Sequence, residues 1–232
     1  MLEKIVVLTG AGMSAESGIS TFRDANGLWN NHNIMEVASP EGWRQNKELV
    51  LDFYNQRRSQ LLECEPNAAH LAIADLEKDY RVSIVTQNVD DLHERAGSSN
   101  IIHLHGELLK ARSTADESLV YDWKKDINQG DLCEKGSQLR PHIVWFGEEV
   151  PLLSHGATEV STADIIIIVG TSMAVYPAAG LVAFSKPDTK VYYVDPNPQV
   201  NYELRALKSL TIIKEKATTG VLKAVDKLTP DF

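Results

Sequence analysis

Apolar and polar positions fall along this chain in short blocks. β-branched or aliphatic runs at residues 4–8, 82–85, 101–104, 164–169, 191–194 and 210–213 are each followed by glycine or polar residues. A short apolar run bounded in this way is how a strand buried on both faces reads. Between the runs a helical period shows at 40–63, with Leu49, Val50, Phe53, Leu61 and Leu62 apolar. It shows again at 68–78, behind a Pro66-Asn67 cap, where Leu71, Ala72, Ala74, Asp75 and Leu76 give a mostly apolar face, and at 219–228 with Val221, Leu222, Val225 and Leu228. Strands alternating with helices predict an α/β fold, a doubly wound parallel sheet of the Rossmann kind with about six strands. From 107 to 140 the pattern decays into polar residues with scattered Leu119, Tyr121, Trp123 and Leu132, which predicts an excursion outside that sheet. The expected organisation is one domain, 1–232, with a large lobe of about 1–26, 64–106 and 146–232 and a small lobe of about 27–63 and 107–145.

Ligands of open α/β sheets bind outside the carboxyl ends of the strands. The polar residues that follow two of the runs fall within residues 86–106, so Gln87, Asn88, Asp90 and His105 are expected at one reaction centre. After the first run, Gly10, Gly12 and Ala15 fit a G-x-G-x-x-G/A turn opening a helix, which serves either a pyrophosphate or plain packing. The continuation departs from a dehydrogenase. Residues 17–24 break into small, polar and glycine residues like a loop over a site, and no second strand closes on a ribose-binding acid. Tyr54 and Arg57 stand three apart on one helix face, either as an ordinary surface pair or as a carboxylate clamp. Residues 140–148, Arg-Pro-His-Ile-Val-Trp-Phe-Gly-Glu, read equally as a core strand and as an edge for an extended peptide.

Bulk composition narrows the classes. With 232 residues, 43% hydrophobic and 24% charged, the chain has room for a full core. A net charge of −9 argues against a general grip on nucleic acid. No cationic leader and no apolar run of membrane length is visible, so a cytoplasmic protein with no membrane partner is expected. The two cysteines, Cys64 and Cys133, stand in no metal-like spacing and read as free thiols in a reducing compartment.

Taken together, several blocks resemble the sirtuin family of NAD-dependent protein-lysine deacylases, and among sirtuins the bacterial class III members. They are residues 10–19 (Gly-Ala-Gly-Met-Ser-Ala-Glu-Ser-Gly-Ile) with Phe22-Arg23, then Thr86-Gln87-Asn88-Val89-Asp90, His103-Leu104-His105-Gly106 and Gly170-Thr171-Ser172. Pro66-Asn67-Ala68-Ala69-His70 and Trp145-Phe146-Gly147-Glu148 follow the same pattern, in order, over nearly the whole chain. The resemblance implies that Gly10, Ala11, Gly12, Ser14, Ala15 and Glu16 bind the NAD pyrophosphate, with Phe22 and Arg23 in the cofactor loop. Gln87, Asn88 and Asp90 would line the nicotinamide-ribose pocket, and Gly170, Thr171, Ser172, Asp195, Asn197 and Ala217 the adenosine side.

By the same resemblance the catalytic residues are Asn88 and His105. His105 is the general base taking a proton from a ribose hydroxyl, while His103 is structural and His93 a surface residue. Val144, Phe146, Gly147 and Glu148 on one side and Val175 on the other would hold an acyl-lysine peptide as a strand. Tyr54 and Arg57 would read acidic acyl groups such as succinyl and malonyl. Products would be free lysine, nicotinamide and O-acyl-ADP-ribose. A non-catalytic NAD sensor and a protein ADP-ribosyltransferase are the alternatives. The departure is the metal. Most sirtuins hold a structural zinc with two cysteine pairs, a closed site needs four ligands, and here Cys133 stands alone with Ser113 about where the first pair would begin. No zinc is expected, with the small lobe packed by Leu119, Trp123 and Leu132.

Overall fold

The run Ile-Ile-Ile-Ile-Val at Ile165–Val169 has no polar position with which to meet water, and it lies wholly buried inside a sheet. The computed structural model describes residues 2–20, 28–29 and 32–228, so the expectations for Phe22 and Arg23 lie outside the described residues. In chain order, β1 (Lys4–Thr9) is followed by the antiparallel pair β2 (Leu28–Trp29) and β3 (His32–Asn33). Helices α1 (Ile34–Val37), α2 (Pro40–Gln45), α3 (Lys47–Glu63) and α4 (Ala68–Asp75) lead to β4 (Arg81–Thr86) and α5 (Leu92–Arg95). Then come β5 (Ile101–His103), β6 (Gly106–Ser113), β7 (Val120–Asp122), β8 (Leu139–Ile143) and α6 (Leu153–Ser161). The chain closes with β9 (Ile165–Val169), β10 (Lys190–Val194), α7 (Tyr202–Arg205), β11 (Leu210–Ile213) and α8 (Ala217–Asp226).

Six strands form one parallel sheet in the order β11-β10-β9-β1-β4-β5. The chain builds outward from β1 in one direction and later from β9 in the other. Connections therefore diverge between β1 and β9, which opens a crevice at their carboxyl ends. Alternate residues of each strand feed two cores. Ile5, Val7, Ile84, Ile165, Ile167 and Val194 pack with α4 and α8 residues such as Ile73 and Val221. Val6, Leu8, Val85, Ile166, Ile168 and Tyr193 pack on the opposite face with Val160 of α6 and Leu181.

A third core lies under α3, where Val50, Leu51, Phe53, Tyr54 and Leu61 meet Leu108, Ala111, Leu139, Ile143 and Trp145. It sits on an antiparallel sheet ordered β7-β6-β8. The patternless excursion expected at 107–140 is thus a sheet of its own. A register irregularity between Glu107 and Ala111 interrupts the alternation that would have announced it. Leu119 and Trp123 pack against this core as expected, but Leu132 is exposed and contributes nothing to it.

Two helices differ from expectation. The single helix expected over 40–63 breaks at Asn46, whose side chain accepts the Leu49 N–H and caps α3. On α4 the buried face is Ala69, His70 and Ile73, continuing to Leu76, while Leu71 points to solvent. Among the described residues no helix is long and apolar enough to cross a membrane.

Candidate active site

The crevice begins where β1 stops. Residues 11–17 form two 3-10 turns, Ala11–Met13 and Ala15–Ser17, in place of the regular helix the glycine pattern suggested. The Gly10 N–H donates to Val169 O at 3.0 Å and the Gly12 N–H to Gly170 O at 2.8 Å. A Cβ on Gly10 would stand 2.8 Å from Thr171 Cβ, and one on Gly12 2.7 Å from Gly170 Cα. These glycines let the turn dock directly on the end of β9. Gly170 answers from the other side, at φ +60 with Met13 N 2.3 Å from any Cβ it might carry. Ala15 opens the second turn, and the Glu16 carboxylate reaches the start of α8. There it accepts the Thr218 N–H at 3.0 Å and the Thr218 hydroxyl at 2.9 Å, beside buried Ala217. A carboxylate at a helix N-terminus is favourably placed.

Below the turn lies a buried polar core. Ser14 Oγ–H donates to Asp90 Oδ2 at 2.9 Å and accepts from Asn88 Nδ2 at 3.2 Å. His70 Nδ1 accepts the Asn67 N–H at 3.3 Å, so the proton of the neutral ring sits on Nε2, 3.5 Å from Ser14 Oγ. Thr9 and Thr86 bond through their hydroxyls at 2.8 Å, and Thr86 Oγ1 accepts the Asn88 N–H at 2.9 Å. Burial pushes His70 down to about 4 and His93 well below the ordinary histidine value. For Asp90 burial works upward and prevails over the bonds from Ser14 and the Leu92 N–H. His93, expected on the surface, is buried edge-on against His70 with ring centroids 4.8 Å apart, 3.4 Å from Thr9 Oγ1. The reason is that α5 is a single turn that tucks Leu92 and His93 inward.

The two histidines near the end of β5 differ in what their nitrogens meet. His105 Nδ1 lies 3.1 Å from Gln87 O, an atom that can only accept. Nδ1 therefore carries the proton, and the neutral ring keeps a lone pair on Nε2. Burial holds its pKa below the usual value, against the weaker pull of the Gln87 bond. His103 meets acceptors on both sides, Asn88 O at 3.2 Å and Glu94 Oε1 at 2.7 Å, which only an imidazolium satisfies. Burial pulls its pKa down, but Glu94 outweighs that and raises it. Its ring protons are committed to those two acceptors. Glu94, His103 and Glu107 form the one group among the described residues whose potential metal-ligand atoms lie within 4.8 Å of one another; Glu107 is paired there with Lys110 at 2.8 Å.

Gly106 follows His105 at φ +82, with His142 O only 2.1 Å from where a Cβ would be. The Val144 N–H then donates to His105 O at 2.9 Å, tying residues 144–148 to the histidine. β8 carries the core strand expected at 140–148 only as far as Ile143, and residues 146–147 form a turn. Trp145 is buried, whereas Phe146 and Gly147 are exposed and Val144 is half-buried. Glu148, expected to face peptide, turns its carboxylate to the chain itself: Arg140 at 2.7 Å, Arg112 at 3.2 Å and the Trp145 N–H at 2.8 Å. Tyr54 and Arg57 are both buried on α3, and burial lowers Arg57 to about 10, so it stays charged at neutral pH. A cavity lined by Ile19, Arg57, Gln60, Leu61, Val89, Asp90 and Leu108 runs from Arg57 to the polar core.

On the far side Gln87 Nε2 reaches Thr171 Oγ1 at 3.3 Å, bridging the ends of β4 and β9 across β1, with half-buried Ser172 following. Asp195 donates its N–H to Ile213 O, and its carboxylate accepts the N–H of exposed Asn197 at 2.8 Å. Val175 is half-buried in the loop after β9. The residues singled out from sequence at the turn and at the ends of β4, β5 and β9 therefore share one crevice. Trp145 and Arg140 were read only as members of the 140–148 stretch and not singled out; the structure adds the Trp145 bond to Tyr54 and the Arg140 pairing with Glu148.

Fold and crevice define a doubly wound α/β protein of the dinucleotide-binding class, with a neutral histidine beside the switch point and a separate three-stranded antiparallel sheet. The chain belongs to the Sir2 family, whose model matches residues 10–177. It is 56% identical over 227 residues to an NAD-dependent protein deacylase of Helicobacter pylori (strain J99 / ATCC 700824), covering 98% of this chain and 96% of that one. A Bacteroides thetaiotaomicron protein of the same description is 48% identical over 235 residues, with 99% of each chain covered. Among solved structures, a Sir2 homologue in complex with NAD superposes with a TM-score of 0.85 at 39% identity, over 98% of this chain and 91% of that one. A Sir2 structure with a p53 peptide and NAD+ gives 0.81 at 28% identity, over 97% and 93%.

Proposed function

We propose that the chain is an NAD-dependent protein-lysine deacylase that removes acetyl and also acidic acyl groups, succinyl and malonyl, leaving free lysine, nicotinamide and O-acyl-ADP-ribose. The observation that carries this reading is His105, a half-buried neutral imidazole with its lone pair on Nε2 at the carboxyl edge of a Rossmann-order sheet. The deacylase relatives and the NAD-bound neighbour support it.

The residues present suit NAD as co-substrate. The turn packs glycine against glycine with no side chain in the way, and the polar core offers a carboxylate, an amide and a hydroxyl for ribose and carboxamide. NAD supplies an activated C1′ and its own leaving group. Gly10, Ala11, Gly12, Ser14, Ala15 and Glu16, with Phe22 and Arg23, would hold the pyrophosphate; Gln87, Asn88 and Asp90 the nicotinamide ribose; Gly170, Thr171, Ser172, Asp195, Asn197 and Ala217 the adenosine. Asn88 would orient the reacting ribose and His105 take its hydroxyl proton. Val144, Phe146, Gly147, Glu148 and Val175 would hold the peptide, with Glu148 acting from behind as the anchor of that turn. Tyr54 and Arg57 would receive the acyl carboxylate as a buried hydroxyl and a forked cation.

We further infer a zinc-free small lobe, residues 27–63 and 107–145. The support is chemical: Cys133 Sγ faces the Ser113 hydroxyl at 3.3 Å, a poor match for a thiolate cage. Free Cys64 and Cys133 fit a cytoplasmic setting, and a net charge of −9 fits protein rather than nucleic-acid substrates.

The test is nicotinamide release with acetyl-, malonyl- and succinyl-lysine peptides. Release should require acyl-lysine, and His105→Ala should keep NAD binding while losing turnover by about a thousandfold. Normal turnover in that variant refutes the assignment. Release onto a protein lacking acyl-lysine would mean ADP-ribosyl transfer instead.

A further inference from the structure

Tyr54 and Trp145 are both completely or almost completely buried, and the Trp145 Nε1–H lies 3.1 Å from the Tyr54 hydroxyl oxygen. An indole N–H can only donate, so the phenol is the acceptor in this bond and its own proton must turn away from the indole. Trp145 is itself held firmly. The Arg140 guanidinium lies over its ring, 3.2 Å from the centroid, and the Trp43 ring packs 5.7 Å away. Its backbone N–H donates to Glu148, which binds Arg140 and Arg112, and Arg140 also donates to Ile143 O at 2.9 Å. The result is a rigid chain of contacts from Glu148 through Arg140 and Trp145 to Tyr54, one turn of α3 from Arg57.

We propose that Trp145 is a specificity-determining positioning residue: its indole N–H fixes the Tyr54 hydroxyl so that the phenol proton is presented to the carboxylate of an acidic acyl group. This rests on the reading of Tyr54 and Arg57 as the acyl clamp. A phenylalanine at 145 is smaller but keeps an aromatic face on which Arg140 can stack, and it has no N–H. Acidic-acyl selectivity is therefore carried partly by a residue of the turn that follows β8, so the segment facing the peptide and the end of the acyl pocket are built as one piece.

The experiment is steady-state kinetics of Trp145→Phe, Tyr54→Phe, their double variant and Arg57→Met on matched acetyl- and succinyl-lysine peptides. Trp145→Phe is expected to raise KM for the succinyl peptide about fivefold, the effect of one net hydrogen bond, with kcat and the acetyl parameters within about twofold of the parent. Tyr54→Phe removes the same bond from the other side and should shift the same ratio. In its background Trp145→Phe should add nothing, since the two act as one unit. Equal losses on both peptides would make Trp145 a structural residue only, and additive losses in the double variant would also overturn the proposal. Arg57→Met separates the two levels. If it damages desuccinylation selectively while Trp145→Phe does not, only the role of Trp145 fails. If it lowers both activities equally, the clamp reading fails with it.

Discussion

His70 takes a backbone N–H from Asn67 on Nδ1 and turns Nε2 toward Ser14, an arrangement made by the neutral ring. Burial keeps it neutral down to about pH 4, and His93 beside it is pushed in the same direction. In the unfolded chain both would take up a proton near pH 6.5. The unfolded state therefore binds more protons as pH falls from about 6.5 to about 4, and stability present above that window is lost within it. For His70 the loss is about 3 kcal/mol at one pH unit per 1.36 kcal/mol. Melting temperature should drop steeply from pH 7 to 4, and His70→Gln, which can still accept and donate, should flatten the slope; an unchanged slope would refute this origin. Sequence pattern put His70 on a helix next to an apolar face but could not reveal that the ring lies inside the protein. It likewise placed His103 and His105 near a strand end, whereas which one keeps a usable lone pair follows from Gln87 O and Glu94, atoms that meet them only in the fold.

Elements were legible where one physical cause dominated. The mostly apolar runs that became β1, β4, β9 and β10 had no other way to hide from water, and Asn67 capped α4 as its position implied. β6 was missed because Lys110, Arg112 and Ser113 look like loop residues until Glu107, Glu148 and Cys133 are seen to satisfy them. The glycines at the crevice illustrate the same limit, since the pattern G-x-G was visible but its docking partner, Gly170, was far along the chain. Gly170→Ala must both adopt φ +60 and push a Cβ to 2.3 Å from Met13 N, at a cost of about 3 kcal/mol. Gly130→Ala, at φ +94 with nothing within 4 Å, should cost only about 1 kcal/mol. Denaturant unfolding of the two variants measures the difference, and equal midpoints would show that the turn does not dock as described.

At the level of the whole molecule, three cores pack against the six-stranded and the three-stranded sheets, and the three-stranded one is held by packing under α3 and by the Arg112–Glu148–Arg140 cluster. In Glu148 burial works to raise the carboxyl, and the bonds from Arg140 and the Trp145 N–H outweigh it. If that lobe stands without metal, purified protein should carry well under one zinc per chain by elemental analysis, and a chelator should leave the melting temperature where it was. One zinc per chain would prove otherwise. What the sequence by itself determined was the doubly wound order of strands and helices, the family, and the set of polar residues gathered at the strand ends, because burial and turn chemistry are local and leave a periodic trace. Only the tertiary structure decided which histidine keeps a lone pair on Nε2, why the glycines are needed, and that Trp145 meets Tyr54 while Glu148 binds Arg140 and Arg112. Those depend on pairs of atoms brought together from distant parts of the chain, and no local pattern records them.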